Sequence, residues 1–130
     1  MKKIYDGLNI QYPISQIIMN GSKRIETRFY PLPAQYVGKQ LAVIETPGKT
    51  GKFKARIVGL ITFGESYKYN SAKEFYADYE NHKVSKDSEW AWVAGKNKWA
   101  WPITEIVKFK TPKAAPERKG IRFTKNIPFR

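Results

Sequence analysis

The sequence predicts an α+β fold, a small mixed β-barrel with two or three short helices. Short apolar runs typical of strands are interrupted by two helical patterns, and two tryptophan-rich segments follow one another at residues 89–93 and 98–103. A long strand pattern, residues 53–63, has Gly59 near its middle, where barrel strands often bend or bulge. With 130 residues, 42% of them hydrophobic, the chain is expected to form one domain, residues 1–130, without disulfides.

The first half of the chain predicts one helix and two strands before the long strand. Residues 13–19 form a helical pattern, because a proline stands at an allowed first-turn position and isoleucines recur at helical spacing before the Asn20-Gly21 stop. Residues 24–30 alternate as strand residues do, and Pro31 and Pro33 then prevent the ladder from continuing. Residues 40–46 are an apolar run that indicates a strand buried on both faces, followed by a hairpin connection at residues 47–52.

The second half predicts a capped helix and further strands. Ser71 and Glu74 form a capping box, and apolar residues recur at helical spacing from residue 72 to residue 79. The tryptophan-rich segments predict two strands joined by a hairpin turn at residues 94–97. Residues 106–110 continue as a strand, residues 111–120 predict a loop, and residues 121–123 predict a short final strand.

The charge of the chain implies an anionic partner. It has 24 Lys and Arg against 11 Asp and Glu, which gives a net charge of +13 and a pI near 9.9. Six of the eleven acids lie in residues 65–89, so we expect that stretch to face away from the partner. A basic C-terminal segment begins at about residue 111, and residues 108–130 combine eight cations with three phenylalanines. Because bases stack on rings while phosphates meet lysines, this mixture favours RNA or a nucleotide, with DNA also possible, over a membrane. An acidic protein that meets the basic segment is a third alternative.

Residues that hold metals or form disulfides are nearly absent from the sequence. The chain has no cysteine and one histidine, His82, which lies in a polar run and is expected to be an exposed loop residue. We therefore expect no metal site and no cofactor. No apolar run approaches the length of a membrane span, and the N-terminus lacks the hydrophobic stretch of a signal peptide, so a cytoplasmic location is expected.

A dense cluster of charge after the first helix is the main candidate site. The segment GSKRIETR, residues 21–28, contains one carboxylate and three cations. In a strand, Arg24, Glu26 and Arg28 point to one face, and Lys23 can reach them from the preceding turn. Guanidinium groups and a lysine around a carboxylate suit phosphate oxygens or the hydrogen-bonding edge of a base. A purely structural Glu26–Arg28 ion pair is the competing interpretation, whereas a core role is least expected for Lys23.

The residues around this cluster resemble a known family. Residues 9–28 are similar to the opening of ASCH domains of the PUA-like superfamily, a helix followed by GxKxxExR, and Gly21, Lys23, Glu26 and Arg28 occupy the four fixed positions. Residues 98–112 resemble the aromatic strand of that family and the strand after it, so the resemblance covers residues 8–123. It implies a PUA-like pseudo-barrel with a ligand cleft between the first helix and the barrel.

The resemblance implies nucleic acid binding, with hydrolysis as the alternative. ASCH domains are associated with RNA and nucleic acid binding, and some small bacterial members are hydrolases that cleave RNA or deacetylate acetylcytidine. In the amidohydrolase group the signature lysine acts with a threonine three residues later and with a glutamate. Glu26 stands at that position here, which argues against acetylcytidine hydrolysis.

Each of the two functions assigns roles to the site residues. In a binding module, Lys23 and Arg28 hold phosphate, Glu26 orients Arg28 or accepts a hydrogen bond from a base amino group, and Tyr12 or Trp101 stacks on the base. In a hydrolase of RNA or of a modified nucleoside, Lys23 and Glu26 are the catalytic candidates. The lysine can then activate a water only if Glu26 is committed to Arg28, because a nearby carboxylate otherwise keeps the ammonium group charged.

Overall fold

The structure is a computed structural model and describes residues 3–116 and 123–129. Its strands are β1 Lys3–Gln11, β2 Ile25–Arg28, β3 Leu41–Thr46, β4 Arg56–Phe63, β5 Tyr67–Tyr69, β6 Lys98–Ala114 and β7 Phe123–Phe129. Its helices are α1 Ile14–Met19, α2 Ala72–Ala77 and α3 Tyr79–His82, with a 3-10 turn at Ala34–Tyr36.

The strands form one mixed sheet. Their order is β2-β6-β4-β3-β1-β7, and β5 pairs with β6 beside this path. β1 and β3 run parallel, and the other pairings are antiparallel. The predicted α+β class is therefore confirmed. Within the described residues no ladder joins the outermost strands β2 and β7, so the sheet is open and not a strictly closed barrel. β2 is only four residues long, and Pro31 soon after it prevents further pairing.

β6 joins the two parts of the sheet. Its first residues pair with β2 and β5, whereas its later residues pair with β4. Near the middle of β4 the register shifts, and residues 109–112 of β6 stand opposite the single residue Val58. Gly59 lies beside this bulge, where a Cβ atom would stand 2.2 Å from the carbonyl oxygen of Val107. The register shift confirms the irregularity predicted at Gly59. Glycine is required there because the backbone of β6 leaves no room for a Cβ atom.

Three hydrophobic clusters lie on the sheet, and the smaller cluster shared by β3, β4 and β7 consists of Ala42, Ile44, Ile57, Leu60 and Ile127. The main core packs α1 and the 3-10 turn on β1, β3, β4 and β6, and it includes Leu8, Ile10, Ile18, Met19, Tyr36, Val43, Phe63 and Trp101. The second core packs α2 and the segment after α3 against β2, β5 and the first part of β6, and it consists of Ile25, Tyr69, Phe75, Val84 and Ala100. The charged segment at residues 21–28 contributes Ile25 to the second core, whereas Glu26 stands opposite Trp101 of the main core.

Both predicted helices are confirmed, and their ends explain their lengths. α1 ends at Asn20 and is followed by Gly21, whose φ of +84° is a conformation that favours glycine. In α2 the hydroxyl of Ser71 accepts a hydrogen bond from the backbone N–H of Glu74 at 3.1 Å, which is the predicted cap. A break at Asp78 divides the predicted second helix into α2 and α3.

The predicted tryptophan hairpin is wrong. Residues 89–93 are turns and bends within an irregular segment, residues 83–97, and only the second tryptophan-rich run, at the start of β6, is a strand. Trp90 and Trp92 alternate as strand residues do. However, Trp92 packs on Phe75 with their ring centroids 5.8 Å apart, and Trp90 is exposed. The alternation of Trp90 and Trp92 therefore does not indicate a strand. It arises because Trp92 anchors the irregular segment to the second core while Trp90 remains exposed.

Other boundaries also differ from the predictions. β6 continues to Ala114, where a loop was expected from residue 111, because Ala114 still pairs with Arg56. The rest of that loop and residues 121–122 of the predicted final strand lie outside the described residues. β7 begins at Phe123 and is longer than the predicted strand. β1 and β5 have no counterpart in the sequence predictions.

Candidate functional site

β2 places the charged side chains on one face of the sheet. Glu26 stands opposite Trp101 of β6, and Arg28 stands opposite Trp99, so these side chains share a face. The predicted alternation is confirmed for Glu26 and Arg28. Arg24 precedes the strand, is exposed and donates a hydrogen bond to the side chain of Asn81 at 2.6 Å. The expectation that Arg24 helps to hold the carboxylate is therefore wrong.

Glu26 is the centre of the cluster. One of its oxygens, Oε2, accepts hydrogen bonds from Nε of Arg28 at 3.3 Å and from Nη2 of Arg28 at 3.1 Å. The other, Oε1, accepts a hydrogen bond from the backbone N–H of Thr27 at 3.0 Å and lies 3.8 Å from Nζ of Lys23. The carboxylate is thus committed mainly to Arg28, with Lys23 as a longer ionic partner.

Lys23 points into the protein. The turn at Gly21 reverses the chain, and the backbone N–H of Lys23 donates to the carbonyl of Ile17 at 2.9 Å. The side chain is only 3% exposed, and its ammonium group donates a hydrogen bond to the backbone carbonyl of His82 at the end of α3. Contrary to the sequence-based expectation, Lys23 is a buried residue that ties the start of β2 to α3.

Arg28 is the most accessible member of the cluster. Its side chain is 20% exposed and reaches β1 through a hydrogen bond from Nη2 to the carbonyl of Asn9 at 3.1 Å. Nη1 donates to the hydroxyl of Tyr30 at 3.1 Å, and the guanidinium carbon lies 5.3 Å from the ring centroid of Trp101. Arg28 therefore connects the interior of the cluster with solvent.

The sequence analysis missed a third buried cation, Lys98. It begins β6, is 2% exposed and donates a hydrogen bond to the backbone carbonyl of Trp90 at 2.5 Å. Its ammonium group lies 4.3 Å from the ring centroid of Phe29. A signal was present in the sequence: Lys98 alternates with the tryptophans of β6, so it shares the face of Ala100, which packs in the second core.

Burial perturbs the pKa values of these groups. Desolvation lowers the pKa of Lys23, although Glu26 opposes this effect. Desolvation also lowers the pKa of Lys98, to about 8, with Glu26 acting to raise it and Lys23 to lower it further. For Glu26, burial acts to raise the pKa, but Arg28 and Lys23 outweigh it and the pKa is lowered. At neutral pH the Glu26 carboxylate and Arg28 are therefore ionised and Lys98 is mostly charged, whereas burial favours the neutral form of Lys23 relative to a free lysine.

His82 is a structural residue and not the exposed loop residue expected from the sequence. It is fully buried, and its ring stacks on that of Phe75 at a centroid distance of 4.1 Å. The backbone N–H of Val84 donates to Nδ1 at 2.9 Å, so Nε2 carries the hydrogen and donates to the carbonyl of Phe75 at 2.6 Å. Burial lowers the pKa of His82, which keeps the ring neutral. This arrangement fixes the carbonyl that receives Lys23.

The remaining predicted site residues lie apart from the cluster or beneath it. Tyr12 lies at the other end of α1 from Lys23, with its ring edge-on to that of Phe53 at a centroid distance of 5.4 Å. Trp101 is fully buried under Arg28, and its indole N–H donates to the carbonyl of Tyr30 at 3.1 Å. Trp101 therefore has no ring face exposed for stacking in this structure, whereas Gly21 lies on the surface.

Two further classes of site are not found in the described part of the chain. Residues 3–116 and 123–129 contain no group of three or more His, Cys, Asp or Glu side chains that could hold a metal ion. None of the helices described has both the length and the apolar character needed to cross a membrane.

Comparison with known proteins gives similarity in structure only. No family model and no curated protein matches the chain. A single-residue variant of the ASCH protein from Zymomonas mobilis matches with a TM-score of 0.64 at 14% identity, over 93% of this chain and 87% of that one. A structure of ASCH from the same organism matches with a TM-score of 0.58 at 13% identity, over 80% of this chain and 73% of that one. A second single-residue variant of the Zymomonas mobilis protein matches with a TM-score of 0.56 at 14% identity, over 85% of this chain and 73% of that one. The chain therefore has an ASCH-type fold.

Proposed function

We propose that the cluster of Lys23, Glu26, Arg28 and Lys98, here called the β2 cluster, binds an anionic group of RNA or of a nucleotide. The observation that supports this most directly is its composition, three basic side chains that are buried or partly buried around a single carboxylate. Unpaired buried charge is destabilising unless a partner of opposite sign neutralises it. A phosphate group would provide that partner.

The geometry suggests an order of contact for such a ligand. Arg28 is partly exposed and would meet the ligand first, with Glu26 fixing the orientation of its guanidinium group. Lys98 is covered by residues 83–97, which contain no helix or strand and whose Trp90 carbonyl receives the ammonium group. Displacement of this segment would expose Lys98 to the same ligand.

RNA is the preferred ligand class on the grounds of charge and fold. The chain has a net charge of +13, and its fold is that of ASCH proteins. We propose that residues 1–130 form a single cytoplasmic ASCH-type domain with a basic C-terminal segment. DNA is a weaker candidate, and the proposal requires neither a metal nor a cofactor.

Titration of a short fluorescein-labelled single-stranded RNA with the protein, followed by fluorescence anisotropy, tests whether the β2 cluster binds RNA. We expect saturable binding whose affinity falls with added salt, because phosphate contacts release counterions. Lys23→Met should weaken this binding, whereas Lys73→Met, the same change at an exposed lysine of α2, should not. Circular dichroism should show that both variants are folded. Failure to bind RNA, DNA and nucleotides at low salt would refute the proposal.

A hydrolase acting on RNA or a modified nucleoside is the second candidate, and one observation favours it. Glu26 is committed to Arg28 by two hydrogen bonds, and burial lowers the pKa of Lys23, which is the condition under which this lysine could act as a base. Glu26 would then position the catalytic group. Multiple turnover that is lost in folded Lys23→Met would support hydrolysis, whereas stoichiometric binding without any product would exclude it.

A further inference from the structure

A second basic site lies away from the β2 cluster. A cavity of about 300 Å³ opens where the start of β4 meets the end of β6, lined by Lys54, Arg56, Lys113 and small residues of the same two segments. No acid lines it within the described part of the chain. Arg56 and Phe63 are the two ends of β4, seven residue steps or about 23 Å apart, and Phe63 pairs with β6 near the β2 cluster.

Arg56 is held in a fixed orientation at the edge of this cavity. Its Nε donates a hydrogen bond to Oε1 of Glu45 at 2.8 Å, and its guanidinium carbon lies 4.0 Å from the ring centroid of Phe53. Tyr12 supports that ring from the side. Within residues 3–116 and 123–129 the two terminal nitrogens of Arg56 make no hydrogen bond. The end of the guanidinium fork is therefore available to a ligand.

Glu45 is fixed in turn by α1. The carboxylate is fully buried, and Oε2 accepts hydrogen bonds from the hydroxyl of Ser15 at 2.6 Å and from the side-chain amide of Gln16 at 2.5 Å. Burial acts to raise the pKa of Glu45, but these hydrogen bonds and that of Arg56 outweigh it and lower the pKa. The carboxylate stays ionised at neutral pH. Glu45 thus orients Arg56 without occupying the cavity.

We propose that this cavity binds a phosphate group, with the terminal nitrogens of Arg56 as a two-pronged donor and with Lys54 and Lys113 supplying charge. A guanidinium fork that is already oriented matches the oxygens of a phosphate and loses little freedom on binding. Free phosphate and the backbone of a nucleic acid strand share this chemistry. A nucleic acid strand is the favoured ligand, because Lys54 and Lys113 are exposed and β6 carries further lysines beyond the cavity, at residues 108 and 110.

Fluorescence anisotropy of labelled RNA, measured with matched double variants, tests whether the cavity contacts a nucleic acid strand. Lys54→Ala/Lys113→Ala should lower affinity about tenfold and reduce the slope of log affinity against log salt by about 1.4, the value for two single-strand phosphate contacts. The control, Lys73→Ala/Lys86→Ala, removes the same charge from exposed positions in the acid-rich stretch and should change the affinity much less. Equal effects of the two double variants would overturn the assignment.

Inorganic phosphate separates the two sources of the ligand. At constant ionic strength we expect phosphate, but not chloride, to shift the NMR signal of the Arg56 Nε–H group, and we expect Arg56→Lys to weaken RNA binding although it keeps the charge. No phosphate-specific shift would refute the phosphate site. A shift combined with unaltered RNA binding in Lys54→Ala/Lys113→Ala would limit the site to free phosphate and overturn the strand assignment.

The same experiments distinguish this site from the proposed function of the β2 cluster. Loss of RNA affinity in Lys54→Ala/Lys113→Ala with normal binding by Lys23→Met would support the cavity and contradict the role of the β2 cluster. The reverse pattern would support the β2 cluster and contradict the cavity as a strand contact.

Discussion

Replacing Lys98 by methionine should stabilise the protein at neutral pH. Burial lowers the pKa of Lys98 from 10.5 to about 8, and at about 1.36 kcal/mol per pKa unit this equals a destabilisation of about 3 kcal/mol while the group is charged. The substitution also removes the hydrogen bond to the carbonyl of Trp90, a loss of about 1 kcal/mol. We therefore expect Lys98→Met to gain about 2 kcal/mol in the free energy of unfolding at pH 7.

The effect should depend on pH in a defined direction. Between pH 8 and 10.5 the unfolded chain keeps the proton of Lys98 and the folded protein has lost it, so the stability of the natural protein rises with pH across this range. The advantage of Lys98→Met should shrink over the same interval and reverse above it, leaving the variant less stable by about 1 kcal/mol.

Urea unfolding followed by tryptophan fluorescence measures this difference at each pH. Lys73→Met is the matched control, since that lysine is exposed, and its stability should follow that of the natural protein. A Lys98→Met variant that is less stable at pH 7, or whose difference from the natural protein does not change between pH 8 and 10.5, would refute the reasoning. If the β2 cluster binds RNA, the same variant should bind it more weakly, so the gain in stability would accompany a loss of function.

Three further predictions follow from the fold and the site. Gly59→Ala should destabilise the protein by about 3 kcal/mol in urea unfolding, because its Cβ would clash with the Val107 carbonyl, and a loss below about 1 kcal/mol would contradict this. Ser71→Ala should lower the free energy of unfolding by about 1 kcal/mol through loss of the α2 cap, and an unchanged value would argue against the cap. Arg28→Lys keeps the charge but loses the paired donors, so RNA anisotropy should show affinity lower by about tenfold, and equal affinity would exclude Arg28 as a phosphate contact.

Local patterns in the sequence predicted the elements that depend on local chemistry. The cap at Ser71, the helix stop at Gly21 and the irregularity at Gly59 were all predictable, because each reflects a property of one residue and its immediate neighbours. β1 was missed, since its Asp6 and Gly7 weaken the alternation and the strand is stabilised by pairing with β3 and β7, which are distant in sequence.

The charged residues at residues 21–28 were predictable as a group, but their surroundings were not. Spacing correctly placed Glu26 and Arg28 on one face, whereas the burial of Lys23 depends on a carbonyl of α3, far along the chain. Lys98 was missed and His82 was misjudged for the same reason. Each is buried because α2, α3 and residues 83–97 fold over the start of β6, a tertiary arrangement that no local period encodes.

The pairing of β1 with β7 has a consequence for folding during synthesis. Lys3 stands opposite Phe129 in the ladder, so β1 leaves the ribosome long before its antiparallel neighbour is translated. Until residues 123–129 emerge, one edge of β1 is uncovered, and the nascent sheet presents unpaired amide and carbonyl groups to other chains. The emergence of residues 123–129 therefore completes the hydrogen bonding of β1.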